Sequence, residues 1–130
     1  MMDYRMLIQA AIEARKNAYA PYSRFKVGAA VLTREGKIFT GCNVENASYG
    51  LSMCAERVAI FKAVSEGYKN FIAIAVVADT DDPVKPCGAC RQVMAEFGNF
   101  DVVMSNLKGD LKIMKVSELL PEAFSPNDLE

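Results

Sequence analysis

The segment Phe71–Ala78 constrains the fold of this chain more than any other, because all of its residues are apolar. A β-strand without a polar face is expected in the centre of a sheet that is covered on both sides. Helices on both faces of the sheet are the simplest way to bury it, and they produce three layers. With 130 residues, the chain is expected to form one domain, spanning 1–130, with a hydrophobic core that needs no disulfide bonds.

Hydrophobic periodicity predicts the elements around this strand. Apolar residues recur at helical spacing over 3–18, and short apolar runs at 27–32 and 38–42 form a hairpin around a polar turn. Further predicted elements are helices over about 53–66 and 88–97, strands over 101–105 and 111–116, and a short last helix capped by Ser117 and ended by Pro121. The predicted fold class is therefore α/β, a three-layer α/β/α sandwich with a five-stranded mixed sheet.

The sequence predicts the cap of the second helix and a set of residues on one of its faces. Ser52 stands immediately before it, and serine is among the residues that favour the N-terminal cap. Val58, Phe61 and Ser65 are expected to lie on one face of this helix together with Cys54. Cys54 is therefore expected at the helix N-terminus, where backbone N–H groups lack partners within the helix.

The charge balance argues against two classes of partner. The chain has 15 basic and 16 acidic residues and a net charge of -1, which gives no electrostatic footprint for nucleic acid or an anionic membrane. No apolar run approaches the ~20 residues that a membrane helix needs. Residues 1–5 lack the pattern of a signal peptide. We therefore expect a cytoplasmic protein whose partners include neither nucleic acid nor a membrane.

The chemistry of the chain depends on its cysteines, since it contains no histidine. The four cysteines are Cys42, Cys54, Cys87 and Cys90. In a reducing compartment, a set that contains C-x-x-C is more often metal-binding or redox-active than a disulfide framework. The lack of histidine excludes Cys-His zinc fingers, histidine general bases and Ser-His-Asp triads. A zinc site in this chain must use sulfur and oxygen.

Three of these cysteines can supply one metal site. Cys54, Cys87 and Cys90 offer three thiolates, and three protein ligands on tetrahedral zinc leave a fourth position for water. Glu56 is the nearest candidate base, two residues from a ligand. Cys42 is expected to be a small buried residue. If Cys42 were instead a fourth ligand, the site would be closed and structural, and this alternative stays open here.

A zinc site made of three thiolates requires charge compensation. The three thiolates and Zn²⁺ together carry a net charge of -1, and hydroxide would add another negative charge. The predicted helix N-termini at Cys54 and Cys87 carry partial positive charge, which favours thiolate. Arg57 follows Glu56 directly and stays protonated, so it is the side chain expected to supply the remaining compensation.

The spacing of these residues matches a known signature. A lone C-x-x-C is weak, because it also fits a redox pair or half of a structural zinc site. Cys-x-Glu followed by Pro-Cys-x-x-Cys is much stronger, since it is the all-cysteine form of the zinc nucleobase deaminase signature, in which the glutamate is not a ligand. The agreement covers four stretches in order: 24–30 (RFKVGAA), 41–49 (GCNVENASY), 54–57 (CAER) and 86–92 (PCGACRQ). On these residues, the chain resembles the small, homotetrameric, zinc-dependent cytidine deaminases.

The resemblance implies roles for individual residues. One Zn²⁺ per subunit would be bound by the three cysteines, and Glu56 would carry protons between water, the pyrimidine N3 and the departing amine. Arg57 would hydrogen-bond the thiolates. The substrate-binding residues implied by the family are Phe25, Asn43, Glu45, Ala47, Tyr49, Ala55 and Phe124. Of these, Asn43 and Glu45 would read the sugar hydroxyls, and Ala47, Tyr49 and Phe124 would come from other chains of a homotetramer that shares its active sites.

The resemblance therefore predicts hydrolytic deamination of cytidine and deoxycytidine to uridine and deoxyuridine, with release of ammonia, in pyrimidine nucleoside salvage. A free nucleoside is favoured over a polynucleotide, because the surface is not basic. Two other functions compete with this prediction. One is deamination of a cytosine-bearing nucleoside antibiotic by the same chemistry, and the other is a zinc-stabilised binding module without turnover.

Overall fold

The computed structural model describes residues 3–130. Five strands form one mixed sheet in the order β2-β1-β3-β4-β5. Strands β3 and β4 are parallel, and the other neighbouring pairs are antiparallel. The strands are β1 (Val27–Thr33), β2 (Ile38–Cys42), β3 (Phe71–Ala78), β4 (Asp101–Asn106) and β5 (Leu111–Lys115). The predicted α/β class and five-stranded mixed sheet are confirmed, with the apolar segment as the central strand β3.

Helices cover both faces of the sheet. Alternate side chains of β3 point to opposite faces, as they must in any strand. Ala73, Ala75 and Val77 pack in a cluster with the first helix, whereas Ile74 and Val76 pack in a second cluster with the next two helices. The helices are α1 (Arg5–Arg15), α2 (Ala55–Ser65), α3 (Gly88–Glu96) and α4 (Val116–Leu119), with short 3₁₀ turns at Tyr49–Leu51 and Pro126–Leu129. This is the three-layer arrangement that the sequence predicts.

Two glycines in the sheet allow helices to lie unusually close to it. A Cβ added to Gly28 would stand 2.0 Å from the carbonyl oxygen of Ala11 in α1. A Cβ added to Gly41 would stand 2.5 Å from the carbonyl oxygen of Ala55 in α2. Both contacts are with helix backbone, which cannot move aside as a flexible side chain can. Gly41 therefore fixes the distance between β2 and the first turn of α2.

Two helix boundaries differ from the predicted ones. Helix α1 ends at Arg15 rather than at residue 18, because the chain leaves the helix to pair with a loop: the Tyr19 N–H donates to the Asn43 carbonyl at 2.9 Å. The cap of α2 is Cys54 rather than Ser52. The Ser52 hydroxyl instead accepts a hydrogen bond from the Asn46 N–H at 3.0 Å.

Helix α2 packs against the sheet mainly through small residues. The helix buries Ala55, Glu56, Ala59, Ile60 and Ala63 against the sheet. Phe61, which the sequence predicts on one face with Cys54, lies outside this contact and is 46% exposed. The cause is the close approach at Gly41, which leaves room for alanine but not for large side chains at the contact.

The end of the chain also differs from its prediction. Strand β5 ends at Lys115, and Ser117 lies inside α4 instead of capping it. The Ser117 N–H donates to the Asn99 side-chain oxygen at 2.9 Å, and the Glu118 carboxylate accepts from the Lys115 N–H at 2.8 Å. Capping of α4 is therefore shared between Asn99 and Glu118. Within residues 3–130, no helix has both the length and the apolarity to cross a membrane.

Candidate metal centre and adjoining cleft

Two helix N-termini bring the predicted thiolates together. Cys54 is the N-terminal cap of α2, Cys87 is the N-terminal cap of α3, and Cys90 lies in the first turn of α3. Both cap residues have extended backbone and lie at the helix end where the N–H groups are free, and neither side chain is hydrogen-bonded to these groups. The partial positive charge of these N–H groups stabilises sulfur in its thiolate form.

The spacing of the three sulfur atoms fits one tetrahedral metal ion. The Sγ atoms of Cys54 and Cys87 are 3.8 Å apart, and those of Cys87 and Cys90 are 3.6 Å apart. All three lie within 4.8 Å of one another. Thiolates bound to tetrahedral zinc at 2.3 Å are separated by about 3.8 Å. Zinc is therefore a good fit to this cluster, both in donor type and in spacing.

Cys42 lies outside the sulfur cluster. Within the described residues, the group able to hold a metal ion consists of Cys54, Cys87 and Cys90. Cys42 ends β2, where it pairs with Gly28, and is a half-buried free thiol. The alternative of a closed site with four cysteine ligands therefore finds no support in the geometry.

Arg57 provides positive charge beside the cluster. Its Nη2 donates to the Cys54 sulfur at 3.4 Å. Its Nε is buried and has no hydrogen-bond partner within residues 3–130. A buried donor without a partner is costly, and an additional negative charge at the sulfur cluster would satisfy it. This orphaned donor is a second observation that fits a negatively charged metal–thiolate centre.

The cysteine pKa values reflect the same arrangement. The pKa of Cys54 is lowered to about 5, because the Cys90 thiol and the Arg57 guanidinium donate to its sulfur. The pKa of Cys90 is raised, because its proton is held in the hydrogen bond to Cys54 and because the thiol is buried. The negative charge therefore resides first on Cys54, next to Arg57.

Glu56 is a buried carboxyl group at the edge of the cluster. It is only 4% exposed, and burial raises its pKa to about 7, with a further upward contribution from the Cys54 thiolate. A carboxyl group with such a pKa can both accept and donate a proton near neutral pH. Its position next to the thiolates is the one that a proton-transfer group for a metal-activated reaction requires.

A cleft of about 300 Å³ opens in front of Glu56 and the sulfur atoms. This volume is at the lower end of the range for small-molecule sites. Residues from four parts of the chain line it: Ser23, Phe25, Val27, Asn43, Glu45, Ser52, Met53, Cys54, Ala55, Glu56, Val84, Lys85 and Cys87. The structure thus brings the predicted Phe25, Asn43, Glu45 and Ala55 to the same cleft as Glu56.

Residues 22–27 form one wall of the cleft, and Asn43 and Glu45 make hydrogen bonds to this segment. The Asn43 amide donates to the Phe25 carbonyl at 2.7 Å and accepts from the Val27 N–H at 2.8 Å. The Glu45 carboxylate accepts hydrogen bonds from the N–H groups of Tyr22 at 3.0 Å and Ser23 at 3.1 Å, and also from the Ser23 hydroxyl. These bonds, led by the Ser23 hydroxyl, lower the pKa of Glu45.

Three predicted substrate-binding residues lie outside this cleft. Ala47 and Tyr49 are exposed, and the Tyr49 ring packs edge-on against Tyr22 with the ring centres 6.0 Å apart. Phe124 is 59% exposed, and its carbonyl accepts a hydrogen bond from Gln92 at 2.9 Å. Their assignment to a neighbouring subunit's cleft stays a prediction.

Sequence analysis missed six residues that line the cleft, namely Ser23, Val27, Ser52, Met53, Val84 and Lys85. Val27 and Met53 resemble ordinary core residues, and no pattern separates them from the core. Lys85 could have been found, because it directly precedes the Pro-Cys-x-x-Cys motif. Ser23 lies just before the RFKVGAA stretch, and its role depends on a contact with Glu45 far along the chain.

Comparison with known proteins identifies the family. Residues 1–106 match the cytidine and deoxycytidylate deaminase zinc-binding region. The chain is 60% identical to a cytidine deaminase of Halalkalibacterium halodurans over 130 residues, covering 98% of each protein. It superposes on the crystal structure of cytidine deaminase from Burkholderia pseudomallei with a TM-score of 0.92 at 57% identity, covering 95% of this chain and 100% of that one. A more distant relative, a blasticidin-S deaminase of Bacillus cereus, is 31% identical over 129 residues, covering 93% of this chain and 91% of the relative. The chain therefore belongs to the cytidine and deoxycytidylate deaminase family.

Proposed function

We propose that this protein catalyses the hydrolytic deamination of cytidine and deoxycytidine to uridine and deoxyuridine, with release of ammonia. The observation that carries the proposal is the buried Glu56 carboxyl group, with a pKa of about 7, beside a cluster of three cysteine sulfurs. Relatives named as cytidine deaminases, at 60% and 57% identity over nearly the whole chain, support the same activity.

The sulfur cluster provides the site for one Zn²⁺ per subunit. Cys54, Cys87 and Cys90 would hold the ion, and zinc bound there supplies a Lewis acid that lowers the pKa of water to about 7. The helix N-termini of α2 and α3 and the Arg57 guanidinium offset the charge of the thiolates. Without this compensation, three thiolates would weaken the metal as an acid.

Glu56 moves the protons of the reaction. Water adds to C4 of the pyrimidine ring, and its first proton passes through the Glu56 carboxylate to N3. Glu56 then passes the second proton to the amino group on C4, the C4–N bond breaks, and ammonia leaves. The C4–O bond that remains becomes the carbonyl of the product, so cytidine and water give uridine and ammonia. A pKa near 7 suits a group that must accept and release protons in turn.

The remaining cleft residues bind and orient the nucleoside. Phe25 packs against it, and Ala55 contributes backbone and methyl surface next to Glu56. Asn43 and Glu45 read the sugar hydroxyls with an amide and a carboxylate. Each already makes hydrogen bonds to residues 22–27, and each has acceptor or donor capacity left for a ligand.

We further propose that the chain forms one domain and that four chains assemble with shared active sites. The exposed Ala47, Tyr49 and Phe124 would complete a neighbour's cleft, and their position outside the cleft of their own chain supports this. Sedimentation at the working concentration of the enzyme tests the proposal, since a fully active monomer would contradict it. A role in pyrimidine salvage and a cytoplasmic location stay predictions.

The decisive experiment measures zinc content and cytidine turnover on the same preparation. One Zn²⁺ per chain together with loss of the cytidine absorbance band supports the proposal. Replacement of Glu56→Gln should leave zinc bound and reduce kcat by at least roughly 1,000-fold, because the proton carrier is lost. Glu35→Gln is the matched control, since Glu35 is exposed in the turn between β1 and β2. A Glu56→Gln enzyme with near-normal turnover would refute the proton-transfer role.

A second candidate substrate is a cytosine-bearing nucleoside antibiotic. The 31% identity to a relative named as a blasticidin-S deaminase favours this candidate. Competition between cytidine and such an analogue in one reaction separates the two, and the substrate with the higher kcat/KM identifies the function. A protein that binds zinc, but leaves both substrates unchanged, would instead be the binding module considered above.

A further inference from the structure

We propose that Ser23 is a positioning residue that aims the Glu45 carboxylate at the sugar of the nucleoside, and thereby sets the preference of the enzyme for sugars that carry hydroxyl groups. The inference rests on the proposed function, since it assigns a partner to the residue that reads the sugar. Ser23 lies outside the four stretches on which the family resemblance rests. The observations that carry it are the hydrogen bonds between Ser23, Glu45 and Phe25.

The direction of the Ser23 hydroxyl is fixed by its partners. The Phe25 N–H donates to the Ser23 oxygen at 3.0 Å, so this oxygen acts as an acceptor there. A serine hydroxyl has one proton to donate. That proton points to Oε2 of Glu45, which is the other partner of the hydroxyl. Ser23 therefore cannot rotate freely without losing one of two hydrogen bonds.

The same hydrogen bonds determine which part of the Glu45 carboxylate stays available. Oε1 accepts from the N–H groups of Tyr22 and Ser23, which uses its two lone pairs. Oε2 accepts from the Ser23 hydroxyl and keeps one lone pair. The free acceptor of Glu45 is therefore on Oε2, and the Ser23 hydroxyl fixes the rotation of this oxygen. Because both residues line the cleft, we assign this lone pair to a hydroxyl group of a sugar bound there.

Ser23 also links the sugar-reading residue to the residue that packs on the nucleoside. Its hydroxyl bridges over Arg24, whose φ of 59° is unusual for a residue with a side chain. Phe25 is then held at both ends, by Ser23 at its N–H and by Asn43 at its carbonyl. One hydroxyl group thus connects the Glu45 carboxylate and the Phe25 backbone, which face the same cleft.

Removal of the hydroxyl should affect binding rather than chemistry. In Ser23→Ala, the Glu45 carboxylate keeps the two backbone N–H groups that donate to Oε1. It loses the hydroxyl group that donates to Oε2 and orients it. We expect the KM for cytidine to rise roughly 10-fold, as for the loss of one hydrogen bond to a charged group, with kcat changed less than about 2-fold. The substitution leaves Glu56 and the sulfur cluster unchanged, and kcat should therefore stay close to its wild-type value.

The test compares cytidine with 2′,3′-dideoxycytidine, which lacks the sugar hydroxyls that Glu45 could accept from. Ser23→Ala should reduce kcat/KM for cytidine much more than for the dideoxy substrate, which can lose only what the Ser23 bond to the Phe25 N–H contributes. Ser23→Thr retains a hydroxyl group and should restore cytidine binding. Ser65→Ala is the matched control, since Ser65 is exposed at the end of α2 and its hydroxyl donates only to the nearby Lys62 carbonyl. Equal losses on both substrates, or no loss on cytidine, would overturn the proposal.

A double-mutant cycle tests whether Ser23 acts through Glu45. In the Glu45→Gln background, Ser23→Ala should add less than about a 2-fold change in the KM for cytidine, because both variants disturb the same contact. Additive effects would mean that Ser23 acts independently, and the proposal would then be wrong.

Equilibrium binding separates this inference from the proposed function. Uridine and 2′,3′-dideoxyuridine are titrated into the wild-type protein and into Ser23→Ala by calorimetry. A wild-type preference for uridine that Ser23→Ala abolishes supports the positioning role, even if no turnover of cytidine is found. An equal preference in both proteins refutes it, while wild-type turnover of cytidine would leave the proposed function intact.

Discussion

A single guanidinium group lies in contact with the sulfur cluster. Arg57 donates to the Cys54 sulfur and keeps a buried Nε without a partner in the described part of the chain. In a chain without histidine, all of the protein ligands of a zinc ion carry negative charge. We therefore expect the acidity of a zinc ion bound here to depend on this arginine more than it would in a site with a neutral imidazole ligand.

Replacement of Arg57→Gln should weaken both metal binding and catalysis. The glutamine keeps a donor group but loses the positive charge, so we expect a 10–100-fold loss in zinc affinity or in kcat/KM, as is typical for partners of metal ligands. Competition with a chromophoric chelator measures the affinity, and cytidine turnover measures the activity. Arg34→Gln, at an exposed residue after β1, is the control. If zinc affinity and cytidine turnover were both unchanged, the helix N-termini alone would supply the positive charge that the thiolates need, and this prediction would be wrong.

A second prediction concerns Cys42, the cysteine that is not in the cluster. Cys42→Ala should leave one Zn²⁺ per chain and change kcat/KM by less than about 2-fold, since its sulfur takes no part in the metal site. Cys90→Ala, which removes a sulfur of the cluster, should lose zinc and activity together. Loss of zinc in Cys42→Ala, measured by metal analysis, would point to a closed site with four cysteine ligands.

The sequence and its family resemblance allowed prediction of the sulfur cluster and of a hydrogen bond from Arg57 to it, but not of the hydrogen bonds that shape the cleft. Cys54, Glu56 and the Pro-Cys-x-x-Cys motif have fixed short spacings, so a local pattern is enough to find them. The contact of Ser23 with Glu45 joins residues 22 positions apart, and it depends on how residues 20–25 turn back over the cleft. No periodicity or propensity encodes such a contact, because the fold of the loop decides it.

At the scale of elements, helix α2 positions most of the site. Its cap is Cys54 and its first turn contains Ala55, Glu56 and Arg57. The close approach to β2 at Gly41 selects alanine at the contact, and Phe61 points outward. The hydrophobic pattern predicts that a helix packs, whereas the distance to its neighbour decides which face does.

Gly41→Ala should therefore disturb the metal centre from the opposite side of the helix. The added Cβ would stand 2.5 Å from the Ala55 carbonyl oxygen and 2.6 Å from the Ala59 nitrogen, so the first turn of α2 must move. We expect a loss of about 1–3 kcal/mol in the free energy of unfolding, as for other overpacked contacts, together with weaker zinc binding. Urea unfolding and chelator competition measure the two effects.

Gly50→Ala is the matched control for this prediction. A Cβ at Gly50 would have nothing within 4 Å, and the residue is exposed. This variant should retain the stability and the zinc affinity of the wild-type protein. If Gly41→Ala lost stability but kept its zinc affinity, the first turn of α2 would be able to hold Cys54 in place without close packing on β2.

At the scale of the whole molecule, the sheet divides the core into two clusters that are joined by the alternating side chains of β3. The sequence predicted this division, because only a strand buried on both faces is apolar throughout. A polar contact between the two ends of the chain was not predicted from the sequence. The Tyr4 hydroxyl donates to the Asp101 carboxylate at 2.6 Å, and Lys115 contacts the same carboxylate at 2.9 Å. This contact links the start of α1 to the beginning of β4, across 97 positions of the chain.

The Tyr4–Asp101 hydrogen bond should make a measurable contribution to stability. Tyr4 is 5% exposed, and the pKa of its hydroxyl is raised to about 12 by burial and by the Asp101 carboxylate. Tyr4→Phe keeps the ring but leaves the carboxylate with one donor fewer. We expect a loss of about 1–2 kcal/mol in the free energy of unfolding at pH 7, which is the usual size for a hydrogen bond to a charged group near the surface. Tyr68→Phe is the control, since Tyr68 makes a ring contact with Phe39 but its hydroxyl takes part in none of the hydrogen bonds of residues 3–130.

The difference between wild type and Tyr4→Phe should depend on pH in a definite direction. The pKa of Asp101 is lowered, first by the Tyr4 hydroxyl and then by Lys115. A carboxylate with a lowered pKa in the folded state stabilises the protein above its ordinary pKa of about 4, and this stabilisation is lost as the pH falls through the lowered value. Urea unfolding should therefore show the full difference at pH 6–7 and a smaller one as the pH drops below about 4. A difference that stayed constant down to pH 2, or grew as the pH fell, would mean that the hydroxyl stabilises the fold by packing rather than through the Asp101 charge.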